Sequence, residues 1–302
     1  MIEKEITIDA NGITLAGTLC LPREDGRYPI VVMIHGSGPL DRNENMKRQS
    51  LDIFNVIAHQ LAGRGFASFR YDKRGCGKSG GNYYTAGLFD MVDDAVHCID
   101  AIQRQPCCDS IVLLGHSEGC IIAPLVSGKR TSVSKLVLIC PFVQRIEAIL
   151  LKQAAQVQKE LESGGMLRRW LFKMLGTSVE SQQELIDRIK SENKDTIRVN
   201  LQKVPAKSIR ELLELDPPTI MAQVERPTLI IGGEKDLQCD PADVDKIVAL
   251  IKGPVEAHVV KNLTHLLRFE EGEPALLRSI QLIRKPMEPV VAELIANWLE
   301  KQ

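Results

Sequence analysis

The sequence predicts an α/β fold: a doubly wound, mostly parallel sheet with an antiparallel N-terminal start and a helical insertion between two of its later strands. Three observations point to it. Six short, almost continuously apolar runs rich in Val and Ile recur along the chain, as expected of strands covered on both faces. Segments with helical spacing separate them, the alternation of a doubly wound sheet. That alternation breaks once, between Pro141 and about Glu225, where the spacing is helical and no convincing strand is visible.

In chain order, "EITID" and "ITLAGTLCLP" read as an opening hairpin around Asn11-Gly12, a strong turn dipeptide. "YPIVVMIHG", "GFASFRYD", "SIVLLGHS" and "SKLVLICP" follow as strands. The crossover helices between them are "SLDIFNVIAHQLAGRG", "FDMVDDAVHCIDAIQRQ" and "EGCIIAPLVSG". In the break, residues 146–176 suggest two helices around Gly164-Gly165, and "SVESQQELIDRIKSEN" and "KSIRELLELD" suggest two more. "RPTLIIGGEKD" and "VEAHVVKNLTH" resume the strands, with "PADVDKIVALIKG" between them and "EPVVAELIANWLEKQ" closing the chain. The expected organisation is a core domain of residues 1–142 and 226–302 with a helical cap, residues 143–225, over the carboxyl ends of the strands, where open α/β sheets bind ligands.

The 302 residues suffice for one large core, and at 44% hydrophobic, 25% charged and net charge −1 the composition gives no footprint for nucleic acid or an anionic membrane. The N-terminus is acidic and alternating, and no apolar run approaches membrane-spanning length, so the expectation is a cytoplasmic protein. Eight cysteines lie mostly in apolar runs without a C-x-x-C pair and read as reduced core residues; the adjacent Cys107 and Cys108 have no evident role.

The chemistry centres on "GHSEG", residues 115–119. Ser117 ends an apolar run and begins a helical one, the strand-to-helix turn of a nucleophile elbow, where Gly115 and Gly119 allow close backbone approach. A serine nucleophile needs a base held by an acid. Asp236 falls just beyond one later strand and His265 just beyond the next. Asp240 is a rival acid, but D-P-A-D reads as a helix start. An oxyanion hole would combine the N–H of Glu118 with one from the loop "HGSG", Ser37 being the expected donor and His35, Gly36 and Gly38 lining the substrate. Losing one such donor costs roughly 3 to 4 kcal/mol of transition-state stabilisation. Asp41 and Arg42, in "GPLDRNEN" on the expected pocket rim, read either as substrate contacts or as an exposed ion pair. "GCGKSG", residues 75–80, mimics a nucleotide motif but opens no helix, and is read as a turn.

Together, "HGSG", "YDKRGCGKSGG", "GHSEG", "GGEKDLQ" and "NLTHLL" resemble the α/β-hydrolase superfamily, in particular its bacterial esterase and serine-aminopeptidase-like branch, near the prolyl-oligopeptidase and dienelactone-hydrolase types. The resemblance implies an α/β-hydrolase fold, a triad of Ser117, Asp236 and His265, and a scaffold role for the turn of Asp72, Arg74, Gly75, Gly77 and Ser79. Cys120 departs from a glycine common in that branch.

The expected reaction is two-step acyl transfer with no metal and no organic cofactor. The expected substrate is a small-molecule ester with a small or medium acyl group, with an amide or thioester as alternatives. Aminopeptidase action would need cap carboxylates for the substrate ammonium, for which Glu147, Glu160, Glu162, Glu180 and Glu184 are candidates. A small-molecule receptor on the same scaffold is the non-enzymatic alternative.

Overall fold

The computed structural model describes residues 1–163 and 178–301. Its sheet is built from β1 (Ile2–Ala10), β2 (Ile13–Leu21), β3 (Tyr28–Ile34), β4 (Ala67–Tyr71), β5 (Cys108–His116), β6 (Val133–Ile139), β9 (Thr228–Gly233) and β10 (Val255–Val260), in the order β1-β2-β4-β3-β5-β6-β9-β10. The β1/β2 and β2/β4 pairs are antiparallel and every other pair is parallel. Asn11 (φ 54°) and Gly12 (φ 84°) take the left-handed conformations that a two-residue hairpin turn requires.

Side-chain alternation along the central strands divides the core in two. Ile30 and Val32 of β3 face one layer and Val31 and Met33 the other; Ile111 and Leu113 of β5 match the first pair, Val112 and Leu114 the second. The parallel register puts Ile30 beside Ile111 and Val31 beside Val112, so both faces stay apolar without interruption. Helices α2 (Leu88–Gln103), α3 (Gly119–Lys129) and α8 (Asp243–Leu250) cover one face, and α1 (Ile53–Gly63) and α10 (Val290–Glu300) the other. β10 departs from the expected pattern. As an edge strand it exposes Ala257 and Val259 and half-buries its other residues.

Between β6 and β9 the chain leaves the sheet. It forms α4 (Ile146–Glu162), α5 (Val179–Ser191), the hairpin of β7 (Ile197–Val199) and β8 (Gln202–Val204), α6 (Ala206–Glu214) and α7 (Pro217–Met221). The hairpin corrects the purely helical expectation for this stretch. Its strands are three residues each, too short for a period-two pattern, and its turn uses Asn200 (φ 47°) and Leu201 (φ 65°) where a turn signal would show Gly. The expected helix after Gly165 lies outside the described residues. A short 3-10 turn (Leu276–Arg278) and α9 (Ser279–Leu282) precede α10.

Candidate active site

β5 is central in the sheet, and its carboxyl end turns directly into α3. Ser117 occupies that turn with φ at 54°, a strained conformation for a residue with a Cβ. Its N–H donates to Ile139 O at 3.0 Å, which ties the turn to β6. A Cβ on Gly115 would collide with the Gly119 carbonyl, and one on Gly119 with the Ile34 carbonyl. Only glycine therefore lets α3 start this close to β3 and β5.

The loops after β9 and β10 bring two groups to the serine. His265 Nε2 lies 3.0 Å from Ser117 Oγ, and His265 Nδ1 lies 2.8 Å from Asp236 Oδ2. Because Nδ1–H donates to the carboxylate, Nε2 is left as an acceptor for the serine hydroxyl. The N–H groups of Gln238 and Cys239 donate to Asp236 Oδ1 at 2.8 and 2.9 Å, which fixes the carboxylate. Asp240 faces elsewhere. It accepts from Lys152 Nζ at 2.7 Å and from Ala242 N–H at 3.1 Å, at the entry to α8.

The loop after β3 is divided. Gly36 and Ser37 line a cavity of about 310 Å³ with Ser117, Glu118 and His265, while His35 and Gly38 do not. Neither the Ser37 nor the Glu118 N–H donates to any group among the described residues. The Ser37 hydroxyl donates to Glu118 Oε2 at 2.9 Å. His35, expected at the substrate, instead packs in the core against Phe54 and Tyr71, ring centroids 5.3 and 5.1 Å away. Only the packed core decides this placement, since Phe54 and Tyr71 come from α1 and β4.

Arg42 also differs from expectation. It is buried, bonds both Asp72 oxygens from Nε and Nη2 at 3.1 and 2.8 Å, and donates from Nη1 to Glu5 and Thr18. It touches neither Asp41 nor the cavity. It is a strut between the β1/β2 hairpin and the turn after β4, and Asp72 further caps that turn by accepting Lys78 N–H at 2.9 Å.

Sequence reasoning missed Glu44. Fully buried beneath the serine, it accepts Gly36 N–H on Oε1 and His116 Nδ1–H on Oε2, both at 2.7 Å. His116 Nε2–H donates to the His265 carbonyl at 3.2 Å. With both ring nitrogens donating, His116 is held as the imidazolium. Burial alone would lower its pKa, but the Glu44 charge and hydrogen bond outweigh burial and raise it. For Glu44 burial would raise the pKa, and the His116 charge and bond, with the Gly36 N–H, hold it below the usual carboxylate range. A lone acidic residue in an aperiodic loop carries no sequence signal for this role.

His35 shows the opposite behaviour. Burial first, and the Lys73 ammonium second, pull its pKa from 6.5 down to about 4, and its Nε2 has no partner. A depressed histidine makes the unfolded chain the better proton binder between those values, so stability falls as pH drops from 6.5 towards 4. The loss is about 3 kcal/mol. Thermal melts of His35→Phe should show a shallower loss between pH 7 and pH 4.5 than the wild type; equal slopes would refute the assignment.

Among the described residues one group could offer three ligands to a metal: Cys140, Asp236 and His265, with donor atoms all within 4.8 Å of one another. Asp236 and His265 already bond each other, and burial pushes the Cys140 thiol well up, keeping it protonated and a poor ligand. The set fits a hydrogen-bonded acid and base better than a metal centre. No helix among the described residues is long and apolar enough to cross a membrane.

A mostly parallel sheet with this strand order, and a strained serine on a strand-to-helix elbow at the carboxyl end of its central strand, define the α/β-hydrolase class. The chain belongs to the hydrolase family described as "Serine aminopeptidase, S33", whose model matches residues 30–272. It is 27% identical over 302 residues to esterase EstD of Thermotoga maritima, covering 99% of this chain and 68% of that protein. Est1E of Butyrivibrio proteoclasticus, solved with bound ferulic acid, superposes with a TM-score of 0.66 at 17% identity, covering 98% of each chain. The Pyrococcus furiosus esterase Pf2001 superposes at 0.62 with 16% identity, over 99% of this chain and 90% of that one. At such identities the two structural likenesses speak for the fold.

Proposed function

We propose that the protein is a carboxylesterase acting on small or medium acyl esters, with Ser117, His265 and Asp236 as its triad. The observation that carries this reading is the Ser117–His265–Asp236 hydrogen-bond relay at the base of a mostly apolar cavity. Ser117 Oγ attacks the ester carbonyl as His265 Nε2 takes its proton. Asp236 holds the imidazole in the required tautomer and stabilises its charge. The Ser37 and Glu118 N–H groups receive the oxyanion, His265 returns the proton to the leaving alcohol, and water on the same path releases the acid.

Residues 143–225 act as a cap on a core of residues 1–142 and 226–302. Support comes from Ile146, Ile149 and Leu150 of α4 and Leu212 of α6, which wall the cavity above Ser117. Eight free cysteines, seven of them buried, fit a reducing cytoplasmic compartment.

The family's description favours a second reading, aminopeptidase. It needs a carboxylate for the substrate ammonium. Among the described residues the cavity's carboxylates are Glu44 and Glu118, the first committed to His116 and Gly36 and the second to Ser37. Glu147 pairs with Lys190, Glu160 accepts two N–H groups at Leu276 and Leu277, and neither they nor Glu162, Glu180 and Glu184 line the cavity. Hydrolysis of p-nitrophenyl acetate, butyrate and octanoate should therefore exceed that of amino-acid p-nitroanilides. Anilide turnover above ester turnover would select the aminopeptidase instead.

A further inference from the structure

Lys73 lies in the D-x-R-G turn to which the family resemblance gives a scaffold role, yet its ammonium reaches the loop after β3. The side chain is 4% exposed, and Nζ donates to the Gly36 carbonyl at 2.5 Å. Its own N–H donates to Leu40 O at 3.3 Å, which ties the turn after β4 to the loop after β3.

The Gly36 carbonyl and the Ser37 N–H belong to one peptide unit. In a planar trans peptide these two groups point in opposite directions, and the described chain has no cis bond. A cation fixed on the carbonyl therefore aims the N–H away from itself. The loop runs against the nucleophile, since a Cβ on Gly36 would lie 3.2 Å from Ser117 Cβ, and Ser37 borders the cavity. The preceding peptide is held too, because Gly36 N–H donates to Glu44 Oε1 at 2.7 Å. Without Lys73 the Gly36–Ser37 unit, flanked by a glycine, could rotate and turn its N–H out of the site.

The same ammonium lies 3.7 Å from Glu118 Oε1, while Glu118 Oε2 accepts from the Ser37 hydroxyl at 2.9 Å. Lys73 thus holds the peptide unit that carries the Ser37 N–H and stands beside the Glu118 carboxylate that accepts from the Ser37 hydroxyl. A charged donor on a carbonyl also draws electron density from the peptide and strengthens its N–H as a donor.

We infer that Lys73 is a positioning residue that orients and polarises the Ser37 N–H for the oxyanion of the tetrahedral intermediate. The inference rests on the serine-hydrolase reading of Ser117. Lys73 itself does not meet substrate. Its effect falls on the transition state, where the oxyanion exists, and leaves ground-state binding nearly untouched.

The test compares wild type with Lys73→Met, which keeps the stem and removes the donor, and Lys73→Gln, which keeps a neutral donor. Three quantities are read: kcat and KM on p-nitrophenyl butyrate, the Ki of butylboronic acid, and the rate at which an alkyl fluorophosphonate labels Ser117. The boronate adopts a tetrahedral form on the serine. Lys73→Met should lower kcat and the labelling rate by about 10-fold to 100-fold and raise Ki by the same factor, with KM within about twofold. Lys73→Gln should fall between the two, and supplies the comparison if Lys73→Met does not fold. A kcat loss with unchanged boronate Ki, a loss mirrored in KM, or no loss in Lys73→Gln and Lys73→Met alike would overturn the inference. Wild-type protein that neither turns over ester nor takes the fluorophosphonate would instead overturn the serine-hydrolase reading.

Discussion

Ser117→Ala is expected to reduce kcat on p-nitrophenyl butyrate by about 10⁵-fold or more, leaving only what the oxyanion donors and the cavity do for attack by water. The variant should stay folded, since the alanine Cβ fits the same left-handed turn and the Ser117 N–H bond to Ile139 does not involve the side chain. Asp236→Asn should cost about 10⁴-fold, because an amide NH₂ facing His265 Nδ1 forces the proton onto Nε2, where it cannot accept from the serine. Asp240→Asn is the control. Its carboxylate is tied to Lys152 and Ala242 away from His265, so its kcat should change less than about threefold, and stability by about 1 kcal/mol at most for a surface pair. A loss at Asp240 comparable to that at Asp236 would mean the acid is misassigned.

Glu44→Ala is expected to cost about 3 to 5 kcal/mol of stability, the range for removing one partner of a buried ion pair. In a chain this size that lowers Tm by on the order of 10 °C. Activity should fall as well, because the one carboxylate fastens the loop after β3 at Gly36 and, through His116, the backbone of His265. Glu44→Gln should lose less, since its carbonyl can still accept Gly36 N–H. The pH window follows from the shifts. The raised His116 pKa gives stability that is complete below 6.5 and is lost as pH rises through the folded value. The lowered Glu44 pKa gives stability that is complete above 4.5 and is lost as pH falls through the folded value. The pair is therefore strongest between 4.5 and 6.5, and the Tm gap between wild type and Glu44→Ala should be widest there. A gap of only one or two degrees in that window would rule out a charged clamp.

Much of the fold was legible because its signals are local. The runs at Ile30–Ile34, Ile111–Leu114 and Leu229–Ile231 are apolar without interruption, as strands covered on both faces require, and Asn11-Gly12 is a turn by backbone chemistry alone. The elbow glycines are legible from the G-x-S-x-G spacing after an apolar run, and the structure supplies their reason, a collision of any Gly119 Cβ with the Ile34 carbonyl. The order of Ser117, Asp236 and His265 at three strand ends is likewise a statement about chain direction, which parallel strands convert into proximity. The β7/β8 hairpin stayed hidden because three-residue strands leave no period to read.

The sequence by itself determined the doubly wound sheet, the turn at Ser117 and the candidates Asp236 and His265, because each stands within or just beyond an apolar run that reads as a strand. Only the tertiary structure decided that His35 turns into the core, that Arg42 braces Asp72, that Glu44 joins Gly36 to His116, and that Lys73 reaches the Gly36 carbonyl. The polar contacts among them join segments far apart in the chain, 30 residues between Arg42 and Asp72, 37 between Lys73 and Gly36 and 72 between Glu44 and His116. The Arg42, Glu44 and Lys73 contacts are selected by the cost of leaving a buried charge or N–H unpaired, and that of His35 by packing against Phe54 and Tyr71. That cost arises only once the sheet has closed and water has gone, so no local pattern in the chain records it.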